Sequence, residues 1–185
     1  MSRLHLLTGL ITIKNMSKIK YNIENAKKVA KALLNAGASV TSLPFLMAQV
    51  AHETGDFNSR VFNSDNNASG IIYIAKPTKQ KNATRGTARS SSEGGNYAKF
   101  FTLEDWARDY LRIVGTSIKK AKNIEEYAKN LKDRGYYTDT LENYTNALKG
   151  HISQLMQLGL TNPPVDTTGL LFLSVAVIVL LFVTL

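Results

Sequence analysis

The chain has 185 residues, a mass of 20.4 kDa and a formal net charge of +9, which suits one ordinary domain with an appendage. It contains no cysteine, which excludes a disulfide scaffold, thiolate catalysis and cysteine-ligated zinc. The mean hydropathy of −0.14 averages two different parts, since residues 169–185 carry no charged side chain. All of the charge therefore belongs to the first 168 residues.

The charge is unevenly distributed along the chain. Residues 1–40 carry +6, residues 41–74 carry −2, residues 75–99 carry +5 and residues 100–168 are balanced. No recognition-helix motif, glycine-rich phosphate loop or alternating basic and aromatic strand accompanies this charge, so no specific nucleic-acid partner is predicted. An anionic cell-wall polymer or a lipid surface suits the same charge.

Two helices are predicted in the first third of the chain. Residues 22–36 place apolar side chains at helical spacing, with Asn22 as N-cap and Gly37 as a left-handed stop. A second helix begins near Ser42 and ends at Gly55.

The middle of the chain is polar and the helical pattern then returns. Residues 56–96 predict long loops with a small strand or hairpin around the apolar run at 71–74. Thr102 caps a further helix, and two more are predicted over residues 124–131 and 143–158. The expected fold is mainly α (α+β), a helical domain with an irregular lobe after its second helix.

The last residues predict a membrane anchor. A helix over residues 169–185 is about 25 Å long, near the short limit for a bilayer, and residues 161–168 precede it as a proline-containing linker. The predicted organisation is a basic N-terminal helical segment (1–40), a catalytic domain (41–160), the linker and a single-pass C-terminal transmembrane helix.

Glu53 is the first candidate catalytic residue. It shares a helix face with Leu46, Gln49 and Val50, so desolvation is expected to disfavour its charged form. Its place in the last helical turn, where the helix dipole is negative, acts in the same direction. A raised pKa is what a general acid for a glycosidic oxygen requires.

A zinc site at the same helix is not predicted. His52 and Glu53 begin a metalloprotease pattern, but that pattern needs a second histidine at position 56, where the chain has Asp56. No metal and no organic cofactor is therefore implied.

Three motifs carry a resemblance to a known family. FLMAQVAHETGDF with the later NNASGI, AKFFTLEDWARDYLRIV, and GYYTD at 135–139 follow in the order found in the peptidoglycan N-acetylglucosaminidases. The chain resembles this family, glycoside hydrolase family 73 of the lysozyme-like superfamily, over about residues 40–158. One departure is Tyr137, where the family signature usually has alanine.

The resemblance implies a lysozyme-like helical fold with a small second lobe and cleavage of β-1,4 bonds in glycan strands. By position, Glu53 matches the catalytic acid and Tyr136 matches the signature tyrosine beside the substrate. Tyr137, Gln49 and Asn67 are further candidate substrate-binding residues. The helix segment alone also resembles family 19 chitinase-like endolysins, and the motif at 135–139 favours the glucosaminidases.

Glu93 is the candidate second carboxylate. It is the only acidic residue between positions 66 and 99, and the resemblance implies a hairpin-lobe glutamate of the kind that some family members use. Asp65 is the alternative. The substrate's own acetamido group could replace both as nucleophile.

The sequence thus predicts a membrane-anchored peptidoglycan hydrolase, with peptidoglycan and a bilayer as partners. A phage product, acting at the cell wall from a virion membrane or a host membrane during entry or lysis, is the expected context. A lytic transglycosylase or muramidase on the same fold and a non-catalytic wall-binding tether are the alternatives.

Overall fold

The computed structural model describes residues 20–75 and 80–161. Within them lie six helices and one two-stranded sheet. In chain order the elements are α1 (Ile23–Asn35), α2 (Leu43–Thr54), α3 (Arg60–Asp65), β1 (Ala83–Ala88), β2 (Asn96–Phe100), α4 (Leu103–Lys119), α5 (Ile124–Asp133) and α6 (Leu141–Gln157).

The helix ends follow local sequence signals. Asn22 and Thr102 cap α1 and α4 by accepting the backbone N–H three residues later. Gly55 adopts a left-handed conformation with φ of 56° and ends α2. These ends lie where the sequence predicts them, because each depends on one residue type at one position.

The helices enclose one hydrophobic core. α2 packs mainly on α6, α1 on α4, and α5 on both α4 and α6. The largest fully buried side chains are Trp106, Tyr110, Tyr127, Phe57 and Phe100. α1 contributes Val29 and Leu33 to this core, although the sequence analysis set residues 1–40 apart as a separate segment.

The two strands form the second lobe. β1 and β2 pair antiparallel, with Ala83 opposite Phe100 and a register shift between Arg85 and Ala88. The apolar run at 71–74 adds only a single bridge, from Ile72 to Tyr97. The mainly helical domain with a small hairpin lobe agrees with the lysozyme-like architecture expected from the motifs.

The transmembrane part of the predicted fold class is wrong. None of the helices over residues 20–75 and 80–161 has the length and apolar character needed to cross a bilayer, and the longest two, α4 and α6, have 17 residues each and carry charged side chains. The range to which the anchor was assigned, 169–185, lies outside the described residues, as do 1–19 and 162–168.

A buried carboxylate fixes the hairpin to the helical part. Asp65, at the end of α3, accepts a hydrogen bond of 2.7 Å from the backbone N–H of Thr87 in β1. The strand can approach this closely because residue 86 is glycine: a Cβ there would lie 2.6 Å from Asp65 Oδ2 and 3.0 Å from Lys99 Cβ.

We therefore expect Gly86→Ala to destabilise the protein by about 1–3 kcal/mol, the usual cost of overpacking. The matched control is Gly115→Ala in α4, where the new Cβ meets nothing within 4 Å and helix propensity gains about 0.5–1 kcal/mol. Thermal unfolding of both variants checks this. A Gly86→Ala protein as stable as the wild type would show that the hairpin does not need this close approach.

Candidate active site

A cleft of about 1150 Å³ runs between the helices and the hairpin lobe. It brings together Glu53 and Glu93, the two glutamates proposed from the sequence as catalytic carboxylates, with the signature tyrosine Tyr136 and its neighbour Tyr137. These four residues come from three separate stretches of the chain. Gln49 and Asn67 lie beneath the cleft surface and are fully buried.

Glu53 lies in the last turn of α2, directly before the helix stop. Its side chain keeps contact with the open cleft, while enough protein surrounds the carboxyl group that burial raises its pKa. The direction agrees with the sequence expectation. A carboxyl group in this state holds its proton at a higher pH than an exposed glutamate does, as a general acid must.

The nearest polar partner of Glu53 is Tyr144, a residue of α6 that lies 91 positions later in the chain. Its hydroxyl donates a hydrogen bond of 3.3 Å to Oε1 of Glu53. This bond favours the ionised carboxylate and so lowers the pKa of Glu53, against the larger effect of burial. Tyr144 therefore both orients the acid and limits how far its pKa rises.

Removing this hydroxyl tests that role. We expect Tyr144→Phe to raise the pKa of Glu53, because the carboxylate loses a donor. The alkaline limb of the pH profile of kcat/KM should then move to higher pH, since activity needs the protonated acid. Measured profiles of both proteins check this, and an alkaline limb that moves to lower pH would contradict it.

Tyr136 reaches the cleft through the end of α5. Gly135 adopts a φ of 70°, and the backbone N–H of Tyr136 donates 3.0 Å to the carbonyl of Leu131, which closes the helix and turns the chain. Burial, and next the nearby Glu53, raise the pKa of the Tyr136 phenol. The phenol is thus a neutral hydrogen-bonding group beside the acid.

Tyr137 lies against Tyr144 on the same wall. The two rings stack with centroids 3.7 Å apart and an interplanar angle of 11°. The Tyr137 hydroxyl donates 3.1 Å to the carbonyl of Ala128, so the ring is held at both ends. Tyr137, which stands where the family usually has alanine, thus packs against the ring of Tyr144. Together with Tyr136 these rings form an aromatic wall of the cleft.

Gln49 is a support for the site rather than part of the cleft surface. Its Oε1 accepts hydrogen bonds from the hydroxyls of Tyr110 and Tyr127, while its Nε2 has no hydrogen-bond partner among the described residues. The amide thus fixes two buried tyrosines one helical turn before Glu53.

Asn67, predicted to bind substrate, is also buried below the cleft surface. Its amide donates to the carbonyls of Ile71 and Ala98 at 2.8 and 2.9 Å and accepts from the N–H of Ile71 at 2.9 Å. All of these partners are backbone groups. The structure therefore makes Asn67 the residue that joins the segment after α3 to β2.

Glu93 lies in the loop between the two strands. Its carboxylate accepts from Ser90 Oγ at 2.7 Å and pairs with Arg89 at 2.9 Å. The Ser90 hydrogen bond first, and the Arg89 charge next, lower its pKa. The pKa values of the two cleft glutamates are thus shifted in opposite directions, that of Glu53 upward by burial and that of Glu93 downward by its hydrogen bond and ion pair. Asp65, the alternative, is buried against β1.

Tyr144, His52 and Arg89 are among the cleft residues that the sequence analysis did not assign to the site. Tyr144 was recognised only as part of an apolar helix stripe, which places a side chain inward without saying what it meets. The rings of His52 and Tyr144 meet edge to face, with centroids 5.2 Å apart. The sequence analysis considered His52 only as a metal ligand. Arg89 was counted only in the net charge of residues 75–99, because no helix there would place it beside Glu93.

Comparison with protein families identifies the chain. A family model described as glucosaminidase, mannosyl-glycoprotein endo-beta-N-acetylglucosaminidase, matches residues 30–157, which is well over half of the sequence and includes both cleft carboxylates. The chain belongs to the glucosaminidase family, glycoside hydrolase family 73. It is a peptidoglycan glycosidase of that family.

Two solved structures share the fold. The chain is 19% identical to the glycoside hydrolase domain of FlgJ from Salmonella typhimurium, with a TM-score of 0.54, covering 82% of this chain and 97% of that one. It is 20% identical to the catalytic domain of the autolysin Auto from Listeria monocytogenes, with a TM-score of 0.53, covering 78% and 88%. At this identity the likeness shows the fold alone. Comparison with curated proteins gives no match.

Proposed function

We propose that the glucosaminidase hydrolyses the β-1,4 bonds of peptidoglycan glycan strands as an endo-β-N-acetylglucosaminidase, with Glu53 as its general acid. The observation that carries this proposal is the position of Glu53 on the wall of a cleft of about 1150 Å³, where burial raises the pKa of its carboxyl group. The family match supports the class of reaction.

In this mechanism Glu53 protonates the glycosidic oxygen, and the leaving sugar departs with that proton. Positive charge develops at the anomeric carbon. Glu93, held ionised by Ser90 and Arg89, stabilises this charge or activates the water that completes hydrolysis. Water adds across the broken bond, and Glu53 regains its proton. Tyr136 and Tyr137 offer the sugar rings an aromatic wall beside the acid.

The substrate's acetamido oxygen is the other group that can stabilise the anomeric carbon. It would form a cyclic intermediate and leave Glu93 with a supporting role. The exposed loop that carries Glu93 makes this route worth testing.

The experiment that tests the function is mass spectrometry of the fragments released from purified peptidoglycan. The proposal predicts N-acetylglucosamine at the new reducing ends. Reducing N-acetylmuramic acid would indicate a muramidase, and anhydro ends would indicate a lytic transglycosylase. Sedimentation with peptidoglycan without any cleavage would indicate a non-catalytic tether.

The biological context stays a prediction from the sequence. A role in phage entry or host lysis requires the chain in purified virions or in lysates of infected cells. Its absence from both, measured with a specific antibody, would exclude that role without affecting the chemistry.

A further inference from the structure

The cleft has a second kind of wall, formed by Ile72, Ile74, Arg112 and Ile113, which we call the isoleucine–arginine wall. Ile72 and Ile74 are 46% and 52% exposed, which is unusual for large apolar side chains. The aromatic wall beside Glu53 suits sugar rings. Branched aliphatic side chains instead pack well against methyl groups. This wall is therefore expected to bind a part of the ligand that carries methyl groups rather than a sugar ring.

Hydrogen bonds hold this wall together. Gln80 is buried and binds the backbone on both sides of residue 73: its Nε2 donates to the Ile72 carbonyl at 3.1 Å, and its Oε1 accepts from the Ile74 N–H at 3.0 Å. The same Nε2 donates to Asp109 at 3.3 Å. The exposed isoleucines are thus fixed to α4.

Asp109 orients the arginine of the wall. It is buried and accepts from Nε and Nη2 of Arg112 at 2.7 and 2.6 Å. The Arg112 side chain remains 38% exposed and lines the cleft. A guanidinium fixed along one edge on the wall of a cleft, with further N–H donors left over, is preorganised to bind a carboxylate.

We propose that the isoleucine–arginine wall binds the peptide stem of the glycan, with the isoleucines on its lactyl and alanyl methyl groups and Arg112 on a stem carboxylate. This inference rests on the proposed function, because a peptidoglycan strand carries such a stem on every second sugar. The wall is continuous with the catalytic cleft, so a strand bound at Glu53 brings its stem within this same groove.

The proposal makes the enzyme selective for stem-bearing glycan. Two substrates test it: uncross-linked strands with their stems, and the same strands after an amidase has removed the stems and the lactyl carboxylates freed by that hydrolysis have been converted to amides. We expect the wild type to cleave the stem-bearing strands with a KM about tenfold lower, the effect of one charge-assisted hydrogen bond. Arg112→Gln should lose this preference, so that its KM values for the two substrates become equal within about twofold.

Arg108→Gln is the matched control. Arg108 pairs with buried Asp105 on the same helix in the same i,i+3 arrangement, at 2.7 Å, but does not line the cleft. It should keep the preference. Ile74→Ser leaves the Asp109 pair intact, so it tests the wall even if Arg112→Gln folds poorly. It should raise the KM for stem-bearing strands about three- to tenfold.

Binding by Glu53→Gln gives a readout that does not depend on cleavage. Its Kd should favour stem-bearing strands by the same factor. Equal Kd and equal KM for the two substrates would overturn the inference while leaving the proposed hydrolysis in place. If the wild type cleaves neither substrate while Glu53→Gln still binds stem-bearing strands more tightly, the proposed hydrolysis would be overturned and the stem-binding site would stand. An equal loss in Arg112→Gln and Arg108→Gln would also overturn the inference, because it would reflect stability alone.

Discussion

Glu53→Gln is expected to lower kcat on peptidoglycan by about a thousandfold, within the range that a positioned general acid contributes. Glutamine keeps the shape of the side chain and can still accept the Tyr144 hydrogen bond, but it has no proton to give to the leaving oxygen. Reducing ends released from purified cell wall measure this loss. The variant should still sediment with peptidoglycan, because the cleft walls are unchanged.

The matched control is Glu142→Gln, which removes an exposed carboxylate from the first turn of α6 outside the cleft. It should keep kcat within about twofold. A Glu53→Gln protein that clears cell walls at the wild-type rate would remove Glu53 from the mechanism.

Glu53→Gln should also change the free energy of unfolding, in a direction that follows from the pKa shift. The pKa of Glu53 is raised in the folded state, so ionised Glu53 destabilises the fold above the pKa of the unfolded chain. Glu53→Gln should therefore unfold at a higher temperature than the wild type at pH 7. The gain should disappear at a pH below the unfolded pKa, where the wild type is protonated in both states.

Glu93→Gln is expected to lower kcat by about a hundredfold and to remove the acidic limb of the pH profile. The proposed mechanism uses Glu93 in its ionised form. The Ser90 hydrogen bond and the Arg89 charge lower its pKa, so wild-type activity should fall only as the pH drops through that lowered pKa. The variant has no group left to protonate there. Profiles of kcat/KM for both proteins, measured across the acidic range, check this.

Glu104→Gln, which removes a half-buried carboxylate from the first turn of α4 outside the cleft, is the control for the loss of one negative charge. If Glu93→Gln keeps wild-type kcat and its acidic limb, the anomeric carbon is stabilised by the substrate's acetamido group. A substrate analogue without that group would then resist cleavage, which separates the two routes.

The sequence predicted those parts of the fold that local signals determine. Asn22, Gly55 and Thr102 each act on backbone groups within a few residues, so the ends of α1, α2 and α4 could be predicted from the sequence. The short helix α3 was missed, because six residues with Val61 and Phe62 as their only apolar side chains give no helical period.

The hairpin lobe depends on contacts that the sequence does not reveal. The apolar run at 71–74 reads as a strand, yet the Gln80 side chain takes up the Ile72 carbonyl and the Ile74 N–H. The strands form instead in the polar segment, where Asp65 and Asn67 bind the backbone of β1 and β2 from outside the sheet.

Part of the candidate site could also be predicted from the sequence. The motifs led to Glu53, Glu93, Tyr136 and Tyr137, which the structure brings to one cleft. They could not assign Gln49 and Asn67 to their places below the surface, since a motif does not show which atoms its amides meet. Tyr144 was out of reach because its contact with Glu53 joins residues 91 positions apart.

The most direct test of the account is the pKa of Glu53 itself, measured by carbon-13 NMR titration of its carboxyl group and assigned by comparison with Glu53→Gln. We expect a midpoint above the ordinary glutamate value of 4.5 that coincides with the alkaline limb of kcat/KM, which reports the free enzyme's acid. A midpoint at or below 4.5, or one that does not match that limb, would contradict the assignment of Glu53 as the general acid.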